Sequence, residues 1–260
     1  MDATRNRATV LRIVGAGLVA GAATLLVYWL ATRGADAWVS WEAVTAVVLG
    51  AIGVGAGAAV ASGAALARWT TWESVLAAVL AGVVGVLFWA WGLTVWKAFE
   101  FAQVAIPGYG YAIQDLFYGF WFLAAILVPY IVRRPGAAVA AEVVAAIISA
   151  LLGAEWGLTV LVSGVIQGGL AEVVFAARGY RHYDLATLII AAAAAALGSW
   201  VVDYFFWYST LAVHILLLML VARLLSAALL SAVLGKWLGD ALARTGVLDN
   251  TALGREMMER

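Results

Sequence analysis

Eight apolar runs follow one another along the chain, at residues 13–32, 43–67, 75–96, 116–132, two within 133–181, 185–202 and 211–234. Short polar segments separate them. None alternates with the period of two expected of a barrel strand, and most approach the ~20 residues with which a helix crosses a bilayer. The pattern predicts an all-α integral membrane protein. Eight membrane helices are expected in total, and a polar tail follows at 241–260.

Local signals mark several boundaries. Ser or Thr stands before Trp-Glu in Trp38-Val-Ser-Trp41-Glu42 and in Trp69-Thr-Thr-Trp72-Glu73, just ahead of the second and third runs. A hydroxyl there caps a helix start, and tryptophan favours the headgroup level. Ala35-Asp36-Ala37 resembles a signal-peptidase site, but the run before it exceeds the ~7–15 residues of a signal core, so an uncleaved anchor is expected. In 133–181 two runs are joined by a tight turn at 153–157, with arginines at both outer ends.

Composition agrees. The 260 residues are 66% hydrophobic and 12% charged, against roughly 25% charged in soluble domains. Net charge is zero, so nothing points to nucleic acid. No cysteine and only two histidines exclude disulfides and argue against a metal site. Gly235-Lys236 lacks the upstream glycine and following hydroxyl of a nucleotide loop, and no cofactor motif appears. With both termini in the cytoplasm, twelve of the fifteen basic residues fall inside, Arg33 and Lys97 fall outside, and Arg223 lies within a helix. That bias supports an N-in, C-in orientation.

This orientation turns three segments outward: 97–115, expected as a loop with Glu100, Gln103, Gln114 and Asp115; the turn with Glu155 and Trp156; and 203–208, a loop with Asp203 and Trp207. Each joins carboxylates or amides to aromatic rings. Such a surface suits a flat cationic or amino-bearing ring, although an interfacial aromatic belt has the same residue types. Trp156, Val160, Ser163 and Gln167 form one stripe by their three- and four-residue spacing, and Gly164, Gly168 and Glu172 form its neighbour. Gln167 fits either a ligand edge or an interhelical hydrogen bond. Glu172 is expected to pair with Arg223, because a lone charge in hydrocarbon is costly. Glu142 shares a face with Ala146 and Ser149 and stays open between pocket floor and ion pair. His214 reads as a packed core histidine.

Tyr118-Gly-Phe-Trp-Phe122, Arg133-Arg-Pro-Gly-Ala-Ala138, Glu142, Trp156-Gly157, Gly164-Val-Ile-Gln-Gly168, Ala171-Glu172, Thr245-Gly-Val-Leu248 and Ala252-Leu-Gly-Arg-Glu256 carry a resemblance. From about residue 69 to 256 the chain resembles the YkoE-type S-components of energy-coupling-factor (ECF) transporters, a family linked to thiamine and its hydroxymethylpyrimidine precursor. This implies a six-helix core at 69–240, with the two additional N-terminal transmembrane helices, at 1–68, falling outside it. The resemblance implies six helices, an outward pocket, and delivery by toppling with a transmembrane coupling (T) subunit and two cytoplasmic ATPases. It also implies docking through small residues of the first core helix, here Ala77, Ala78, Ala81, Gly82 and Gly85, centred on Ala77-x-x-x-Ala81. The ligand set expected on this reading is Gln114, Tyr118, Trp121, Glu142, Trp156, Gln167, Asp203 and Trp207.

Two other classes are open to comparison. An intramembrane enzyme needs a nucleophile–base pair or a metal site; Ser163 has no evident base and His214 stands alone, so no enzyme is expected. A structural or channel-like bundle with no small-molecule site is the alternative.

Overall fold

A computed structural model describes residues 69–157 and 159–259, with isolated positions before 69. The two expected N-terminal helices and Ala35-Asp36-Ala37 lie outside the described residues. Those described form helices and no strand: α1 (Thr71–Ala105), α2 (Tyr109–Asp115), α3 (Tyr118–Val132), α4 (Ala137–Leu151), α5 (Thr159–Ala177), α6 (Leu185–Tyr208), α7 (Val213–Arg244) and α8 (Ala252–Met258). Helices α1, α5, α6 and α7 are long and apolar enough to cross a bilayer, and α2 with α3, bent by 44°, makes a fifth candidate. Helix α4 is apolar but has 15 residues, about 22 Å of helix against roughly 30 Å of hydrocarbon.

Helix α1 begins as its sequence predicts. Thr70 accepts the Glu73 N–H at 3.2 Å, and Glu73 accepts the Thr70 N–H at 3.0 Å, a reciprocal capping box. Its far end is a correction. The segment 97–115, expected as a loop, is helical up to Ala105 and again in α2, interrupted at Pro107-Gly108, where Gly108 has φ 81°. The segment 204–208 likewise continues α6 as a wide π-turn and is not a loop. The tight turn after α4 is present as expected.

Helix α3 is the axis. Every residue from Leu123 to Val132 is buried, and α1, α4, α5, α6 and α7 all pack against it. Its α-helical part has 10 residues, about 15 Å of rise. Its neighbours therefore run past its N-terminus and enclose a space there. Just before that part, Tyr118–Phe122 is a tight 3-10 turn. Helices α1 and α7 carry π-turns at Gly92–Trp96 and Ala227–Val233. Gly119 is pressed so closely on α7 that a Cβ would lie 2.2 Å from the Ser226 carbonyl carbon, and its N–H donates to Ser226 Oγ at 2.8 Å.

The arginine-rich end is closed by Glu172. This buried carboxylate accepts the N–H groups of Gly136 (2.6 Å) and Ala138 (2.9 Å) and the Tyr180 hydroxyl (2.6 Å). It therefore caps α4, and the pairing with Arg223 expected from the sequence is not made. Arg223 lies among carboxylates of other helices, where its charge is met twice. Arg134 bonds Glu73 at 2.7 Å and Trp69 donates to the Pro135 carbonyl at 3.0 Å, so the Arg133-to-Gly136 turn is tied to α1 as well.

The small-residue stripe of α1 also needs correction. Ala77, Ala81 and Gly85 point inward; a Cβ on Gly85 would lie 2.7 Å from the Ala145 carbonyl oxygen of α4. Close packing within the chain uses this face, so Ala77-x-x-x-Ala81 is not an open docking centre. Ala78 is exposed and Gly82 half-buried. His214 is exposed on α7, 6.1 Å from the Tyr109 ring, and is not a core residue.

Candidate ligand-binding site

The space over the N-terminus of α3 is a cavity of about 480 Å³, within the range of small-molecule sites. Helix α1 contributes Phe88, Trp96, Glu100 and Gln103; α3 contributes Tyr118 and Trp121; α4 contributes Glu142, Ala146 and Ser149. Glu155 and Trp156 enter from the turn, Ser163 and Gln167 from α5, and Asp203 and Trp207 from α6.

Its aromatic part is a box. Trp96 and Trp121 meet edge to face with centroids 4.7 Å apart, Trp121 and Trp156 at 5.3 Å, Trp96 and Trp156 at 6.0 Å, and Tyr118 stands 5.3 Å from Trp121. The π-turn shifts the register of α1 and brings Trp96 into this group. The 3-10 turn keeps Tyr118 and Trp121 together, because residues three apart eclipse there.

The polar part lies below and beside the box. Glu142 Oε2 accepts the Ala125 N–H at 2.8 Å, at the positive end of the α3 helix. Helices α4 and α5 meet through glycine: a Cβ on Gly164 would lie 2.9 Å from that of Ala146, and one on Gly168 3.0 Å from that of Glu142. This approach sets Gln167 and Glu142 on adjoining walls. On the other side Arg223, fully buried, donates to Asp115 through Nε (3.1 Å) and Nη2 (3.0 Å), and through Nη1 to Asp203 (2.8 Å) and Ser199 (3.2 Å). Its guanidinium lies 3.6 Å from the Tyr118 ring centroid. At the mouth, Lys97 bonds Glu100 at 3.0 Å and also Glu155 across the gap.

Charge is therefore one-sided. Glu100, Glu142, Glu155 and Asp203 line the cavity, and among the described residues no Lys or Arg does. Each nearby cation is shared by two carboxylates. Such a wall favours a cationic ligand, with ring faces for its aromatic surface.

Comparison with known proteins decides the family. Over 184 residues, 70% of this chain and 90% of the relative, the sequence is 37% identical to the putative HMP/thiamine permease protein YkoE of Bacillus subtilis (strain 168). A crystal structure of an S-component of an ECF transporter superposes with a TM-score of 0.67 at 36% identity, covering 74% of this chain and 94% of that one. The chain belongs to the YkoE family of ECF-transporter S-components. Residues 72–198 also match the family profile described as the permease component of an ABC-type cobalt transport system. An S-component with four or five candidate spans among its described residues is a multi-pass protein of the bacterial plasma membrane.

In this S-component, seven of the eight residues named from the sequence line one cavity: Tyr118, Trp121, Glu142, Trp156, Gln167, Asp203 and Trp207. Gln114 does not. Buried behind the wall, it donates to the Trp96 carbonyl at 3.3 Å and accepts from the Gln103 amide, so its polar atoms are occupied in holding α2 to the π-turn. Gln103 takes the lining position. Trp96 and Phe88 are additions. The sequence offers a partial signal for them, since Phe88, Gly92 and Trp96 recur every four residues as large, small, large; in the structure a Cβ on Gly92 would lie 3.5 Å from the Trp156 ring. Asp115 is an addition of another kind, serving the site through Arg223.

Proposed function

We propose that this S-component captures thiamine or its hydroxymethylpyrimidine precursor in the aromatic cavity and delivers it across the membrane with partners that hydrolyse ATP. The observation that carries this reading is the box of Trp96, Trp121, Trp156 and Tyr118 joined to the carboxylate of Glu142 and the amide of Gln167. Ring faces and surrounding carboxylates suit a thiazolium cation, and the amide and carboxylate edges suit an aminopyrimidine. The name of the Bacillus subtilis relative points to the same compounds.

On this reading the cavity opens outward, the chain has eight membrane helices with both termini in the cytoplasm, and toppling against a T-subunit with two ATPases completes transport. Core, extension and tail divide at residues 69 and 240. Docking is assigned to the side of α1 that carries Ala78 and Gly82 among exposed Val75, Val79 and Val86.

Isothermal titration of the purified chain, without ATP, tests the ligand. Saturable heat with thiamine or hydroxymethylpyrimidine is expected, with a change in tryptophan emission. If neither compound gives heat or alters emission, the assignment of thiamine or its precursor as the ligand fails.

A further inference from the structure

The distribution of charge around the cavity carries a statement about which form of the ligand enters. Resting on the functional reading above, we infer that the site accepts the unphosphorylated compound and rejects its phosphate esters, and that Glu100 and Glu155 set this discrimination at the mouth.

A phosphate needs cationic side chains or free backbone N–H groups. Among the described residues no lysine or arginine lines the cavity. The nearest cations are already shared. Lys97 is bonded by both Glu100 and Glu155, and Arg223 by both Asp115 and Asp203. A phosphate that drew either away would leave two carboxylates beside it. The N-terminus of the α3 helix is the natural anion site in the floor. There the Ala125 N–H is taken by Glu142. Either orientation of the ester brings its dianion against a carboxylate: Glu100 and Glu155 at the mouth, Glu142 and Asp203 deeper in. The mouth pair is the more readily altered, because both residues are partly exposed and neither caps a helix.

The test is competitive titration of the full chain with three probes: thiamine, thiamine monophosphate, and O-acetylthiamine, which adds bulk at the same oxygen without charge. Hydroxymethylpyrimidine and its phosphate form a second pair. The monophosphate is expected to bind at least roughly 30-fold more weakly than thiamine, the factor expected of one carboxylate about 8 Å from a single negative charge at an effective dielectric of about 20. The acetyl ester should lose far less. The double variant E100Q/E155Q should narrow the gap, whereas K97M, which strips the mouth of its cation, should widen it. Equal binding of free and phosphorylated forms overturns the inference while leaving the ligand assignment intact. An acetyl ester as weak as the phosphate overturns it too, since bulk and not charge then decides, and a gap unmoved by E100Q/E155Q overturns the assignment of the discrimination to the mouth pair. No binding by either unphosphorylated compound overturns the functional reading and this inference together.

Discussion

Glu142 and Glu172 are both fully buried in one bundle, yet they do different work. Glu172 accepts from two N–H groups at the start of α4 and from the Tyr180 hydroxyl. Glu142 takes one N–H of α3 and lines the cavity. E172Q should therefore cost stability, since an amide NH2 would face donors; about 1–3 kcal/mol is expected for a buried group left unsatisfied. Ligand affinity of the folded fraction should stay unchanged. E142Q should weaken thiamine binding more than it lowers the melting temperature. Thermal melts and titrations on the two variants separate these outcomes; a loss of affinity in E172Q would contradict the division. Sequence spacing put Glu142 on a face with Ala146 and Ser149, and all three line the cavity. It paired Glu172 with Arg223 wrongly, because the cost of a buried charge says that a partner exists and not which group supplies it.

At the scale of elements, the helix starts were legible and the helix irregularities were not. Thr70 caps α1 with atoms at most four residues away, so its role is written locally. The break between α2 and α3 has no such signature. It is held by contact with the π-turn of α7, and Gly119 is where the two backbones meet. G119A should force them apart, costing ~1–3 kcal/mol or more by overpacking. It should also displace Tyr118 and Trp121, which flank it in the 3-10 turn. A melting temperature lowered together with lost thiamine binding is the expected result. A variant with normal stability and normal affinity would show that this contact does not set the shape of the box. The segment 97–115 is a different case, because its helical spacing is itself local. Its polar residues suggested a loop, but Lys97, Glu100 and Gln103 recur every three residues, and the polarity belongs to one wall of a helix.

For the molecule as a whole, Arg223 is the principal polar link. It joins Asp115 of α2 and Asp203 of α6 to α7 behind the cavity. R223A leaves two buried carboxylates without their cation, and a loss of about 3–5 kcal/mol is expected for breaking a buried pair. Denaturation in detergent would measure it. Adding D115N and D203N should recover part of the loss; a triple variant no more stable than R223A would mean that the network is not the source. The sequence by itself determined the membrane class, the set of apolar helices described here and most of the cavity's residues, because hydropathy, helical period and aromatic–acid clustering are local properties of the chain. Tertiary structure decided the partner of each buried charge, the inward turn of the Ala77-Ala81-Gly85 face, and the place of Trp96 in the box. Those depend on which backbones approach closely, and on a central helix too short to fill the space its neighbours enclose.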